Sequence, residues 1–152
     1  SELDLGCRQM ADYLALVGDP FFYGSFMYLY ARLVADYQVE VVPGVTSITT
    51  CAARAGMPLA ARNERLTVLP GPLPAEELRA RIEGAESVAI MKVGRHLSKI
   101  RAVIADLGLT DKAAYIERAS LPDELVCPLA QAPETAPYFS MIILTKGADP
   151  WL

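Results

Sequence analysis

The sequence holds a single histidine, only three cysteines, and fewer basic than acidic residues. Fourteen Lys and Arg stand against eighteen Asp and Glu, for a formal charge of −4. A protein that grips nucleic acid through its phosphates is ordinarily basic, so that class is set aside. Cys7, Cys51 and Cys127 are far apart and odd in number. With His96 as the one imidazole they make neither a zinc spacing nor a disulfide framework, so no metal is expected. Free thiols fit a reducing cytoplasm. No apolar run approaches the length of about 18 residues that a membrane span needs, and no basic-then-apolar leader opens the sequence. There is no Walker loop, no HExxH, no GxGxxG and no nucleophile elbow. A nucleotide-like ligand would therefore need another mode of binding, and a Ser-His-Asp hydrolase is not expected.

What is present reads as an α/β protein. The chain has 152 residues, 53% of them apolar and 21% charged, enough for one globular domain or two small ones. Residues 1–11 read equally as a short helix or a tail. Residues 12–17 are apolar nearly throughout, as in a parallel strand covered on both faces. They stop at Gly18-Asp19-Pro20. A helix that Ser25 can cap follows, with Phe26, Leu29, Tyr30, Leu33, Val34 and Tyr37 at helical spacing. These aromatics read as core; cofactor stacking by Tyr28 or Tyr30 is the alternative. Val39–Val42 reads as a second strand, ended by Pro43-Gly44, with a helix from Thr46-Ser47 to Ala55. Gly56 offers a left-handed stop and Pro58 blocks resumption. The first 60 residues thus predict βαβα with a parallel sheet.

The proline-rich turn Pro70-Gly71-Pro72-Leu73-Pro74 is the strongest internal punctuation. It places a domain boundary near residue 64, giving 1–64 and 65–152. Strands are expected at 66–69, 87–91, 112–117, 125–129 and 138–145, with helices over 76–83 and 97–107.

Three groups of residues could carry chemistry. Gly18 lets a ligand approach the backbone, and Asp19 either offers a carboxylate or merely caps the turn. Tyr23 adds a phenol on the same loop. Thr46 and Ser47, after Pro43-Gly44, bring hydroxyls and N–H groups to the end of the next strand; N-capping alone would also explain them. Lys92, Arg95, His96, Lys99 and Arg101 crowd ten residues of an acidic chain. They form either a solvated helix face or a pocket for a polyanion, which Arg62, Arg65 and Arg118 could join.

Taken together, Val17–Ser25, Val42–Ser47, Ala55-Gly56-Met57-Pro58-Leu59, Ile90–Leu97, Tyr115–Ala119 and Tyr138–Ile142 resemble the tetrapyrrole methylases, the class III S-adenosylmethionine-dependent methyltransferases. The resemblance runs over roughly residues 12–146. It implies two α/β domains with S-adenosylmethionine bound in the cleft between them and S-adenosylhomocysteine as product. Cofactor contacts carried over by position are Val17, Gly18, Asp19, Phe22, Thr46, Ser47 and Met91, with Glu117, Arg118 and Ser140 placed more loosely. A carboxylate-rich reduced tetrapyrrole as substrate would give Arg62, Lys92, Arg95 and His96 a role. A base needed after methylation would be Tyr23 or Asp19. The resemblance also implies a homodimer. The family opens with a strand and a glycine-rich loop ahead of the Gly-Asp-Pro loop, so the expectation is a correspondence to the C-terminal two-thirds of such an enzyme. Rival readings are a superfamily member acting on another corrin carbon or on diphthamide, and a non-catalytic ligand-binding module.

Overall fold

A computed structural model of the chain describes residues 18–147. These fall into two compact units, with the division between Thr46 and Ser47. The expected strand at 12–17 and the cofactor contact Val17 lie outside the described residues.

In the first unit, helix α1 spans Phe26–Leu33. Phe21 packs edge-on against Phe26 and Tyr30, with ring centroids 5.7 and 5.0 Å apart. This aromatic cluster folds the Gly-Asp-Pro loop back onto its own helix, so Tyr30 is a packing residue. Three expectations are corrected. Ser25 is the residue before α1, but its side chain makes no capping hydrogen bond. The helix also stops at Leu33, and Leu29, Val34 and Tyr37, expected on its apolar stripe, are exposed. Val39–Val42 is not a strand. Alternating β-branched residues favour extended backbone, but a strand needs a ladder partner, and no described residue supplies one.

The second unit is a five-stranded mixed sheet with helices. Helix α2 spans Ser47–Ala55, then come β1 Leu66–Pro70, α3 Ala75–Glu83, β2 Ser87–Met91, α4 Leu97–Asp106, β3 Ala113–Glu117, β4 Leu125–Pro128 and β5 Ser140–Thr145. The strand order is β1-β2-β5-β3-β4. Only β1 and β2 pair in parallel; β5 runs antiparallel between β2 and β3, and β4 antiparallel beside β3. The expected strands at 112–117 and 138–145 are trimmed. Lys112 closes a short 3₁₀ turn, and Tyr138 and Phe139 are exposed ahead of β5.

The period-two pattern of the strands builds two faces. Val88, Ile90, Ile142, Leu144 and Tyr115 share one core with Leu78 and Ile82 of α3 and Ile100 and Ile104 of α4. The alternate residues Ala89, Ile116 and Ile143 are equally buried. Helix α2 lies against β3, β4 and β5. Burying a side chain such as Ile142 or Leu144 contributes about 1.5–3 kcal/mol, and this double-sided core holds the sheet edge described below. Helices α2 and α4 end as their glycines predict. Gly56 and Gly108 have φ of +63° and +67°. Met57 and Gly56 N–H bond back to Ala52 and Ala53, and Leu109 and Gly108 to Ile104 and Ala105. Both are Schellman stops.

Candidate functional site

Two sets of residues predicted from sequence come together, one in each unit. In the first, Gly18 has φ +85° and turns the chain. Asp19 then clasps two loops: Oδ1 accepts from Phe21 N–H at 3.0 Å and Oδ2 from Gly44 N–H at 3.3 Å. Gly44 lies so close that a Cβ on it would stand 2.4 Å from the Gly18 carbonyl oxygen. Gly-Asp-Pro and Pro-Gly-Val-Thr are therefore one built corner. Both oxygens of Asp19 bond main-chain N–H groups, which realises the turn-capping alternative. Tyr23 sits on the same corner with φ +53°, a conformation unfavourable for an aromatic residue. Its ring meets Phe22 edge-on at 5.2 Å. Thr46 closes this unit, and Ser47 is the first residue of α2 in the next.

In the second unit the parallel sense of β1, β2 and β3 brings their C-terminal ends to one edge, with the start of β5 among them. Met91, Glu117 and Ser140 all lie on this edge. Lys92 and Arg118, the residues after β2 and β3, have φ of +57° and +50°. Such left-handed conformations are costly in long side chains and cluster at ligand sites. Here they turn the main chain sharply at the strand ends.

The polar side chains of this edge are tied to the protein itself. Glu117 is buried and takes Tyr115 O–H on Oε2 and Arg118 Nη2–H on Oε1, both at 2.6 Å. Arg118 also pairs with Asp123 at 3.0 Å, and its N–H bonds the Phe139 carbonyl at 2.9 Å. Burial, followed by the Glu117 bond, pushes the Tyr115 phenol well above its usual range, so it acts as a donor throughout neutral pH. Ser140, directly opposite Glu117 in register, donates to Pro137 O at 2.7 Å and accepts Gly94 N–H at 3.2 Å.

The basic cluster divides. Lys99 donates to the carbonyls of Gly71, at 2.9 Å, and Leu73, and Arg101 to that of Ala132 at 3.3 Å. Both hold backbone rather than line an anion pocket. Lys92 and Arg95 are exposed beside the edge. Arg95 Nε–H donates to His96 Nε2 at 3.5 Å. Burial, then the nearby charges of Lys99 and Arg95, lower the His96 pKa and favour the neutral ring. Arg62 and Arg65 precede β1, at the other end of that strand. Arg65 is held by Glu86 at 2.9 Å. The polyanion reading thus contracts to Lys92, Arg95 and His96 at the edge.

Two residues escaped sequence reasoning. Gly71 packs against the Lys92 carbonyl, where a Cβ would stand 2.7 Å from the oxygen. Tyr115 is the partner of Glu117, and the period-two rule could have paired them. A groove of about 450 Å³ lies at the opposite edge, among Met57, Lys112, Cys127 and Thr145, and holds none of the predicted site residues. Among the described residues no cluster could hold a metal ion, and no helix is long and apolar enough to cross a membrane.

Residues 11–133 match the sequence profile of the Tetrapyrrole (Corrin/Porphyrin) Methylases. The chain belongs to this family. A precorrin-2 C(20)-methyltransferase of Sinorhizobium sp is 44% identical over 133 residues, covering 87% of this chain and 54% of that protein. The cobalt-precorrin-2 C(20)-methyltransferase of Salmonella typhimurium is 32% identical, covering 86% and 56%. The chain thus spans about half the length of these curated relatives. Among solved structures, the uroporphyrin-III C-methyltransferase of Thermus thermophilus, complexed with S-adenosylhomocysteine, is 26% identical with a TM-score of 0.61, over 85% of this chain and 63% of that one. The methylase fold therefore accounts for the mixed sheet and for the loops at its strand ends.

Proposed function

We propose that the complete protein transfers a methyl group from S-adenosylmethionine to C20 of precorrin-2, giving precorrin-3A in cobalamin biosynthesis. The observation that carries this reading is the 44% identity to the Sinorhizobium precorrin-2 enzyme, against 32% to the cobalt-precorrin-2 enzyme. The same comparison favours the metal-free substrate over its cobalt complex.

The residues fit the donor. Its purine suits main-chain groups at the ends of β2 and β3, near Met91, Arg118 and Ser140. In the first unit, taken by itself, the N–H groups of the Gly18, Asp19 and Phe22 corner and the Thr46 hydroxyl suit a polar group of a ligand. When bound, the donor supplies a methyl on a sulfonium and leaves as a neutral thioether, so no strong acid is required. The chain's task is alignment and exclusion of water. Asp19 acts mainly by holding the two loops in register. For the proton lost after methylation we assign as acceptor Asp19 or, as its phenolate, Tyr23. Lys92, Arg95 and His96 would meet the substrate's carboxylates.

We place the enzyme in the cytoplasm as a homodimer. The test is methyl transfer to purified precorrin-2 and to its cobalt complex, followed by mass spectrometry. A gain of one methyl on precorrin-2 supports the reading. Transfer only to the cobalt complex moves the assignment to that substrate, and transfer to neither refutes it.

A further inference from the structure

The geometry points to Lys99 as a positioning residue that sets the strand end carrying Met91 and Lys92; this rests on the reading of that edge as the cofactor edge. Lys99 lies in the first turn of α4. A cation there opposes the helix dipole, so its place calls for a compensating partner. The partner is the proline-rich turn. Pro70, Pro72 and Pro74 have no N–H, so the turn closes itself with little more than the Leu73 N–H to Pro70 O bond at 3.2 Å. The carbonyls of Gly71 and Leu73 are left for another donor, and the Lys99 ammonium serves both.

The clamp reaches the site through Gly71. Its N–H donates to Met91 O at 2.7 Å, and its Cα faces the Lys92 carbonyl closely enough to exclude any side chain. Lys92 there holds φ +57°. A shift of the turn is therefore a shift of the Met91–Lys92 peptide. From the other side, Ser140 holds Gly94 N–H. The segment from Met91 to Gly94 is fixed at both ends before any ligand arrives, and such preorganisation is what binding at a strand end needs.

A built-in control exists. Lys146 makes the same kind of clamp, donating to the carbonyls of Ile82 and Glu83 at 2.9 and 2.8 Å. It closes the C-terminal end of α3, beside the opposite end of the sheet. The experiment compares Lys99→Met, Lys99→Arg and Lys146→Met in the complete polypeptide, at a temperature where all are folded. Amide hydrogen exchange of the unliganded protein reports the clamp, and calorimetry with S-adenosylhomocysteine reports its consequence. Lys99→Met should lose protection at Gly71 and weaken binding by about tenfold. Lys99→Arg should recover part of both, and Lys146→Met should keep both while losing a similar amount of thermal stability. Unchanged Gly71 protection in Lys99→Met, or equal affinity losses in Lys99→Met and Lys146→Met, overturns the proposal. If Lys99→Met deprotects Gly71 while the unaltered protein binds no S-adenosylhomocysteine, the clamp stands and the cofactor reading falls.

Discussion

The Tyr115 hydroxyl donates a 2.6 Å hydrogen bond to Glu117 Oε2 at the buried end of β3. Tyr115 itself is fully buried, in the same core as Ile142 and Leu144. The bond joins an apolar core to the polar strand end where Arg118 turns. It lets a carboxylate sit inside the protein with a donor on each oxygen. Tyr115→Phe keeps the ring and removes one donor from a buried charge. The expected cost is about 1–3 kcal/mol, read as a lower urea midpoint with an unchanged slope. A midpoint equal to that of the unaltered protein would show that the bond is not formed in solution.

Two glycines should respond to alanine for different reasons. At Gly71 the obstacle is contact, since the added Cβ meets the Lys92 carbonyl oxygen at 2.7 Å and Ile100 Cδ1 at 3.2 Å. At Gly56 nothing lies within 4 Å, and the obstacle is φ +63°. Gly56→Ala should cost about 1 kcal/mol. Gly71→Ala should cost about 1–3 kcal/mol and also weaken S-adenosylhomocysteine binding. Equal effects of the two on ligand binding would separate Gly71 from the site.

Asp19 clasps Phe21 N–H and Gly44 N–H. Asp19→Asn leaves one acceptor oxygen, and Asp19→Ala leaves none. Affinity for S-adenosylhomocysteine by calorimetry should fall in that order, with about tenfold lost in the alanine variant. An unchanged affinity in Asp19→Ala would remove the corner from the cofactor site.

Much of this architecture is legible in the sequence, and the failures have physical causes. Ser87–Met91 is a strand as expected, because five residues buried on both faces of the sheet are bounded by Glu86 and Lys92. The stops at Gly56 and Gly108 follow from local backbone chemistry. Val39–Val42 fails because alternation reports a preference, whereas a strand is a pairing. The site shows the same limit. Its loops are found by glycine and proline, but the roles of Asp19, Lys99 and Ser140 depend on partners 25, 28 and 46 residues away. A row of cations looks alike in sequence whether it faces solvent or reaches back to a carbonyl.

Arg95 is exposed beside the sheet edge, with its Nε–H on His96. Arg95→Ala should raise KM for the tetrapyrrole by about tenfold and leave S-adenosylhomocysteine affinity nearly constant. Parallel losses in both would assign Arg95 a merely structural role.

Glu86 ties the opposite end of the sheet to Arg65. The hydrogen bonds from Arg65 hold its carboxyl well below the usual 4.5, at about 2. Its folded-state pKa is depressed, so the stabilisation is complete above the unfolded value and is lost as pH falls towards the folded one. Glu86→Gln should therefore melt below the unaltered protein at neutral pH. The gap should close as pH falls from about 4.5 to about 2. A gap that stays constant across that interval would mean the pair does not form in solution.

The reaction proposed for the complete protein is methylation of one carbon of a reduced tetrapyrrole. It is tested most directly by incubating the complete protein with precorrin-2 and S-adenosylmethionine carrying a ¹³C-labelled methyl, then locating the label by NMR. A single labelled methyl is expected, on C20. A label on any other carbon, or none transferred by folded protein, would contradict it.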